Sequence, residues 1–489
     1  MSSVSQLEPR ALWKYFLELS AIPRCSKQEA AALAWLEGVA RAHGIEPVRD
    51  RAGNILIRVP ASPGCENAPP IALQSHVDMV CEKNSDVVHD FTRDPIRPVV
   101  EGEFVRAQGT TLGADNGIGL AAALALLDDT ETRHGPLELL FTVDEETGLS
   151  GALAIEAGFL KARYMLNLDS EELGIFTVGC AGGRDTNITV RIPRMARPEL
   201  AAFEIAIGGL HGGHSGTDIH RNRGNSIKIL GRLLLAAAES PSVGPLLLGA
   251  ASGGSKRNAL PREARAQVAI EPKRAAALRG VIEAEIAKVR RQLAGIDDGL
   301  TVAVSETSAS AFASAADSLR MLRLIQALPQ GVAAMNVDIP TLVETSNNVG
   351  VLEDLGDGYR IVCATRSSVA PALLELLAQV DAAAHLAGAE VTHNEGYPGW
   401  KPNLASPLLA RARAVHERLF GDPGKVQAIH AGLECGLFTE KYPQLDILSY
   451  GPDITGAHSP EERVKIDTVA KTWEFTQKLL AELARADAV

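Results

Sequence analysis

Five stretches of this sequence bring acids and histidines to positions where they could act together. They are Ser75-His76-Val77-Asp78, Leu112-Gly113-Ala114-Asp115-Asn116, Asp144-Glu145-Glu146, Leu168-Asp169-Ser170 and Gly456-Ala457-His458-Ser459. Imidazole nitrogen and carboxylate oxygen both ligate a divalent ion such as zinc. Carboxylates crowded together without a cation repel one another and retain protons. A cluster drawn from these residues therefore makes chemical sense around metal. In His76-Val77-Asp78, residues i and i+2 of an extended segment share a face. Taken singly, each residue is bland: a lone acid is solvated surface, and a lone histidine at a strand end is structural. The agreement of several segments carries the reading.

Such residues need a frame. Leu12, Tyr15, Phe16 and Leu19, and then Ala32, Leu33, Leu36 and Val39, lie at helix spacing within residues 8–44. Residues 54–59 read as a strand. Three further apolar runs, Ile71–Leu73, Leu137–Val143 and Tyr164–Leu168, each lead into the acids and histidine named above. A helical pattern over Ile118–Leu127 lies between them. Strands alternating with helices predict an α/β domain on a mostly parallel central sheet flanked by helices. Ligands of open α/β sheets bind beyond the carboxyl ends of strands, where these residues fall.

Proline-bearing stretches at RIPRMARPEL and YPGWKP divide the chain. They predict a discontinuous catalytic domain over residues 1–192 and 398–489, with an α+β domain over 193–397 inserted as a lid. The insert holds strand-like segments at Phe203–Ile207, Ala266–Ile270 and Tyr359–Ala364, and a helix around Arg274–Leu293. After the return come helix, strand, helix, the strand Leu445–Tyr450 and a closing helix over about Asp467–Ala486.

The chain has 489 residues, 46% of them hydrophobic and 4% aromatic, so its core is built mainly of Ala, Leu, Val and Ile. A net charge of −12 argues against a nucleic-acid partner. The six cysteines are far apart and form no CxxC pair, which predicts reduced thiols rather than a disulfide framework. MSSVSQLEPRALWKYF lacks a basic segment followed by an apolar run, so no secretory signal is expected. The run Leu230–Ala251 is the most membrane-like, but Glu239, Pro241 and Pro245 interrupt it. The expectation is a cytoplasmic protein without a membrane partner.

SHVDMV, LGADNGIG, TVDEETG, LNLDSEE and GAHSP together resemble the zinc metallopeptidase superfamily of carboxypeptidase G, aminoacylase and the cytosolic dipeptidases. Longer stretches narrow this. VHDFTRDPI, CAGG, GGHSG, RNALPREA, ETSNNVG, YPGW and HAGLECGLF resemble the bacterial aminoacyl-histidine (Xaa-His) dipeptidase family over nearly the whole chain. The resemblance implies a di-zinc dipeptidase. Asp115 would bridge the two ions, His76 and Asp169 would hold one, and Glu146 and His458 the other. Asp78 would orient His76, and Glu145 would be the general base toward the metal-bridging water. The Asp115-Asn116 peptide would be cis. His214 in the lid motif HGGHSG would stabilise the oxyanion. Asn258 and Arg366 would bind the substrate carboxylate, with His430 and Glu434 lining the pocket near its amine.

The metal itself is left open, since cobalt or manganese suits the same donors. Relatives often pair through the lid, which implies a homodimer. An N-acyl-amino-acid deacylase or a tripeptide aminopeptidase would share the metal site and differ only in the pocket. A catalytically dead peptide-binding relative would have lost ligands or the base, and this chain keeps all of them.

Overall fold

A computed structural model describes residues 3–309 and 311–485, which form two compact units. The first comprises residues 1–179, 402–428 and 433–489, and the second 180–401 and 429–432. The first boundary thus precedes the expected one. The reason is local: Gly182–Arg191 is a strand of the second unit's sheet, pairing with Gly358–Ser367. Ala486, the expected end of the closing helix, lies outside the described residues. The helix itself covers Ile466–Arg485.

An eight-stranded sheet centres the first unit. Its middle strands are Leu137–Thr142, Ile71–His76, Tyr164–Asn167 and Asp446–Ser449, and neighbours along this row are parallel. Toward one edge, Ile55–Val59 runs antiparallel to Leu137–Thr142. Every residue of Ile71–His76, Leu137–Thr142 and Tyr164–Asn167 is buried, as expected for parallel strands covered on both faces. Ala114–Ala125, buried along nearly all its length, packs on the strand Ile71–His76, and Arg10–Ser20, which buries Leu12, Trp13, Tyr15, Phe16 and Leu19, packs on Ala114–Ala125. Because the strands are parallel, their carboxyl ends lie along one edge of the sheet. His76 ends one strand, while Asp144 and Asp169 follow two others by two residues.

The second unit is a nine-stranded antiparallel sheet with helices Ser226–Ala238, Ala275–Gln292, Ala315–Ala327 and Ala370–Leu386. Its alternating strands place Phe203, Ile205 and Ile207 against Leu230, Leu233 and Ile286 in one core. This is the α+β domain that the sequence suggests.

The cysteines depart from expectation. Cys25 and Cys81 form a disulfide, with their Cα atoms 5.7 Å apart. The cause is that Cys25 lies in a β-bridge with Met79, a proximity that a separation of 56 residues does not advertise. Cys65, Cys180, Cys363 and Cys435 are buried and carry no disulfide. Among the described residues no helix is long and apolar enough to cross a membrane.

Candidate active site

His76 ends its strand with Nε2 3.1 Å from Asp115 Oδ1 and 3.4 Å from Asp169 Oδ1. The other oxygen, Asp115 Oδ2, lies 3.2 Å from His458 Nε2, which is 2.9 Å from Glu146 Oε2. The two carboxylate oxygens of Asp115 thus face two separate histidine–carboxylate pairs. The donor atoms of His76, Asp115 and Asp169 lie within 4.8 Å of one another, as do those of Asp115, Glu146 and His458. The Asp115–Asn116 peptide is cis, as the resemblance implies. Asn116 then donates its side-chain N–H to Asp169 and to the Leu168 carbonyl.

Asp78 contacts His76 and several other groups. His76 Nδ1 lies 3.1 Å from the Asp78 main-chain carbonyl and 3.4 Å from its carboxylate. Either contact directs the Nδ1 proton away from the cluster and leaves Nε2 facing Asp115 and Asp169. The Asp78 carboxylate also accepts the N–H of Glu145 at 3.0 Å, the N–H of Glu146 at 3.2 Å and the Ser26 hydroxyl at 2.7 Å. It therefore anchors the short helix Glu145–Gly148 by its first amides. Burial raises the Asp78 pKa, but bonds from His76, Ser26 and the Glu145 N–H outweigh it and bring the group to about 2.

The surroundings are crowded with negative charge. Burial, with Asp169, Glu434 and Glu146 nearby, holds the Glu145 carboxyl well above the usual range. Burial likewise raises Asp169 to about 6 and Glu434 to about 8. Glu434 is fully buried, accepting from Gln74 at 2.6 Å and Thr142 at 2.8 Å through one oxygen, while the other has no partner. The buried Glu146 Oε1 is also without a partner. One imidazole, one terminal carboxylate and one shared carboxylate per ion, with leftover negative charge around them, is a donor set suited to two divalent cations.

The second unit holds the remaining candidates. His214 Nδ1 accepts the main-chain N–H groups of Gly216 at 3.3 Å and Thr217 at 3.1 Å. An Nδ1 that accepts leaves the proton on Nε2, so this imidazole offers a donor. Burial and the charge of Arg366 lower its pKa, which keeps it neutral. Arg366 is buried, donates to the Tyr397 hydroxyl at 2.8 Å and has an unpartnered Nε. His430 bonds Ser346 Oγ at 2.7 Å, and burial drives its pKa down to about 3. Asn258 is exposed on a loop where its carbonyl accepts from Ser215 N–H. The structure thus gathers His76, Asp78, Asp115, Glu145, Glu146, Asp169, His458 and Glu434 in the first unit, and places His214, Asn258, Arg366 and His430 in the second.

Sequence reasoning passed over several residues. Gln74 and Thr142 hold Glu434, and Tyr397 and Ser346 hold Arg366 and His430. The buried polar residues Gln74 and Thr142, on mostly apolar central strands, were the available signal.

The fold and this cluster define a metallopeptidase, and the chain belongs to Peptidase family M20/M25/M40, whose pattern matches residues 72–482. It is 42% identical to the cytosol non-specific dipeptidase of Escherichia coli strain K12, over 99% of each chain. It is equally 42% identical to the aminoacylhistidine dipeptidase of Vibrio alginolyticus, whose crystal structure superposes with a TM-score of 0.91 over 98% of each chain. The aminopeptidase PepT of Bacillus cereus shares the fold at 18% identity, with a TM-score of 0.58 over 98% of this chain and 100% of that one.

Proposed function

We infer that this chain is a two-metal dipeptidase that cleaves free dipeptides and prefers those with C-terminal histidine. The observation that carries the inference is the division of Asp115, with one oxygen toward His76 and Asp169 and the other toward His458 and Glu146. The full-length likeness to two dipeptidases, one of them named for aminoacyl-histidine substrates, supports the substrate class.

Asp115 would be shared by both ions, His76 and Asp169 would hold one, and Glu146 and His458 the other. The mixed nitrogen and oxygen donors favour zinc and accept cobalt or manganese. When bound, such ions supply Lewis acidity toward a carbonyl and lower the pKa of water. Glu145 is the general base: it takes a proton from the attacking water and returns it to the leaving amine. Asp78 holds both His76 and the amide of Glu145, so base and ligand keep one register. His214 Nε2–H is the donor for the oxyanion. Arg366 and Asn258 bind the substrate carboxylate, for which a guanidinium fork is well shaped. Glu434 and His430 line the pocket, with Glu434 toward the substrate amine. The second unit acts as lid in a cytoplasmic homodimer.

The test is metal analysis of the purified protein joined to a substrate panel with each metal restored. Two equivalents of metal and fastest turnover of Xaa-His dipeptides are expected. Faster hydrolysis of acetyl-amino acids would overturn the dipeptidase reading. Glu145→Gln should keep its metal and lose turnover; an active variant would overturn the assigned base.

A further inference from the structure

The Asp115 loop is held from two sides by charged groups that take no direct part in the cluster. On one side stands Glu462, 2% exposed. One of its oxygens accepts the N–H groups of Leu112 at 2.7 Å and Gly113 at 2.9 Å. The other accepts those of Ala114 at 2.7 Å and Asp115 at 3.2 Å. Four successive amides thus converge on one carboxylate. On the other side lies Arg24, 1% exposed, which donates to the carbonyls of Val77 at 2.8 Å, Asp78 at 2.9 Å and Gly113 at 2.6 Å.

The sequence makes room for both charges. A side chain at Gly113 would overlap the Arg24 guanidinium, and a Cβ at Gly117 would come within 2.8 Å of it. Gly456 lets its turn fold back so closely that a Cβ there would lie 2.8 Å from the Glu461 carbonyl. That turn carries His458, four residues before Glu462. One carboxylate therefore ties the loop of Asp115 to the segment that delivers His458.

A buried charge is costly unless its hydrogen-bonding capacity is filled. Four amides fill that of a carboxylate. A glutamine at the same place has one acceptor oxygen, and its amide nitrogen would confront two of the four N–H groups. We propose that Glu462 is a positioning residue of the metal centre, which sets the direction of the Asp115 side chain through its main chain and so acts on both ions together. This rests on the two-ion reading above. Loss of Asp169 should weaken one ion. Loss of the Glu462 cradle should weaken both.

The experiment uses the full-length chain, stripped by a chelator and titrated with cobalt(II) against a competing indicator, with the cobalt absorption spectrum recorded. Wild type should take up two equivalents. Fewer than two would refute the two-ion reading itself, separately from the cradle. In Glu462→Gln both affinities should fall, each by about tenfold or more, and the spectrum should shift. The reloaded variant should lose kcat with KM for a dipeptide little changed. Asp169→Asn should weaken one equivalent much more than the other. Wild-type affinities and spectrum in folded Glu462→Gln would overturn the proposal. If that variant is not recovered folded, Glu462→Asp replaces it, because a carboxylate one methylene shorter cannot span all four amides. Wild-type affinity for both equivalents in Glu462→Asp would overturn the proposal. So would failure of both variants to fold, which would make Glu462 a folding residue instead.

Discussion

Replacing Asp78 by asparagine is the sharpest probe of how the proposed base Glu145 and the proposed ligand His76 are coupled. The native carboxylate serves the Glu145 N–H through Oδ1, and the Glu146 N–H and Ser26 hydroxyl through Oδ2, with His76 Nδ1 3.4 Å from Oδ1. Asparagine has a single acceptor oxygen. If that oxygen takes the Oδ1 position, the Glu145 amide is served and Ser26 can rotate its hydroxyl to accept. The Glu146 N–H is then left facing an NH2 group. One orphaned buried N–H costs about 1–3 kcal/mol. The surviving bonds also lose charge assistance, which roughly doubles the strength of such bonds. A destabilisation of about 2–4 kcal/mol follows. With His76 as a proposed ligand, its imidazole would bind less well, and metal affinity should drop about 10- to 100-fold. Urea unfolding of the metal-loaded variant, beside a metal titration, measures both. The reasoning fails if Asp78→Asn keeps wild-type metal affinity and loses less than about 0.5 kcal/mol, the usual range for an inert surface change.

Three further outcomes are expected. Chelation should abolish turnover and make the protein easier to denature, by about 4 kcal/mol per ion relative to a solution holding that ion at a thousand times its Kd; unchanged stability would speak against structural occupancy by metal. Arg366→Met should raise KM for dipeptides by about 10- to 100-fold, the loss of one charge-assisted contact. The same variant should handle a dipeptide and its C-terminal amide alike, and a retained preference for the free acid would exclude Arg366 as the carboxylate partner. Reduction of Cys25–Cys81, which closes a 56-residue separation, should lower stability by up to about 4 kcal/mol by the loop-entropy relation, read by denaturation with and without a dithiol.

Much of the frame follows from period and burial. The mostly apolar runs before His76, Asp144 and Asp169 read directly as parallel strands, since strands covered on both faces need no polar alternation. The i, i+2 spacing of His76 and Asp78 likewise announced a shared face. Glu462 was invisible for a physical reason: in His458-Ser459-Pro460-Glu461-Glu462-Arg463 it stands among polar neighbours and looks like solvated surface. Only the tertiary approach of residues 112–115 shows where its charge goes. Arg24 hides in the same way, because a long cation in a loop is usually exposed. The disulfide was misread because sequence separation says nothing of a bridge such as Cys25 to Met79. The first domain boundary was set too late because the proline-bearing segment follows, rather than precedes, the strand Gly182–Arg191.

The strand Asp446–Ser449 has a further consequence. It lies between Tyr164–Asn167 and Ile175–Cys180, segments synthesised more than two hundred residues earlier, and His458 follows it. A growing chain on the ribosome can fold the inserted second unit while the sheet of the first still has a gap in its middle. The cluster is incomplete until the last few dozen residues emerge. With the proposed ligand set, a peptide hydrolase built this way would stay inert until His458 emerges, and a chain cut short before it is expected to lack activity.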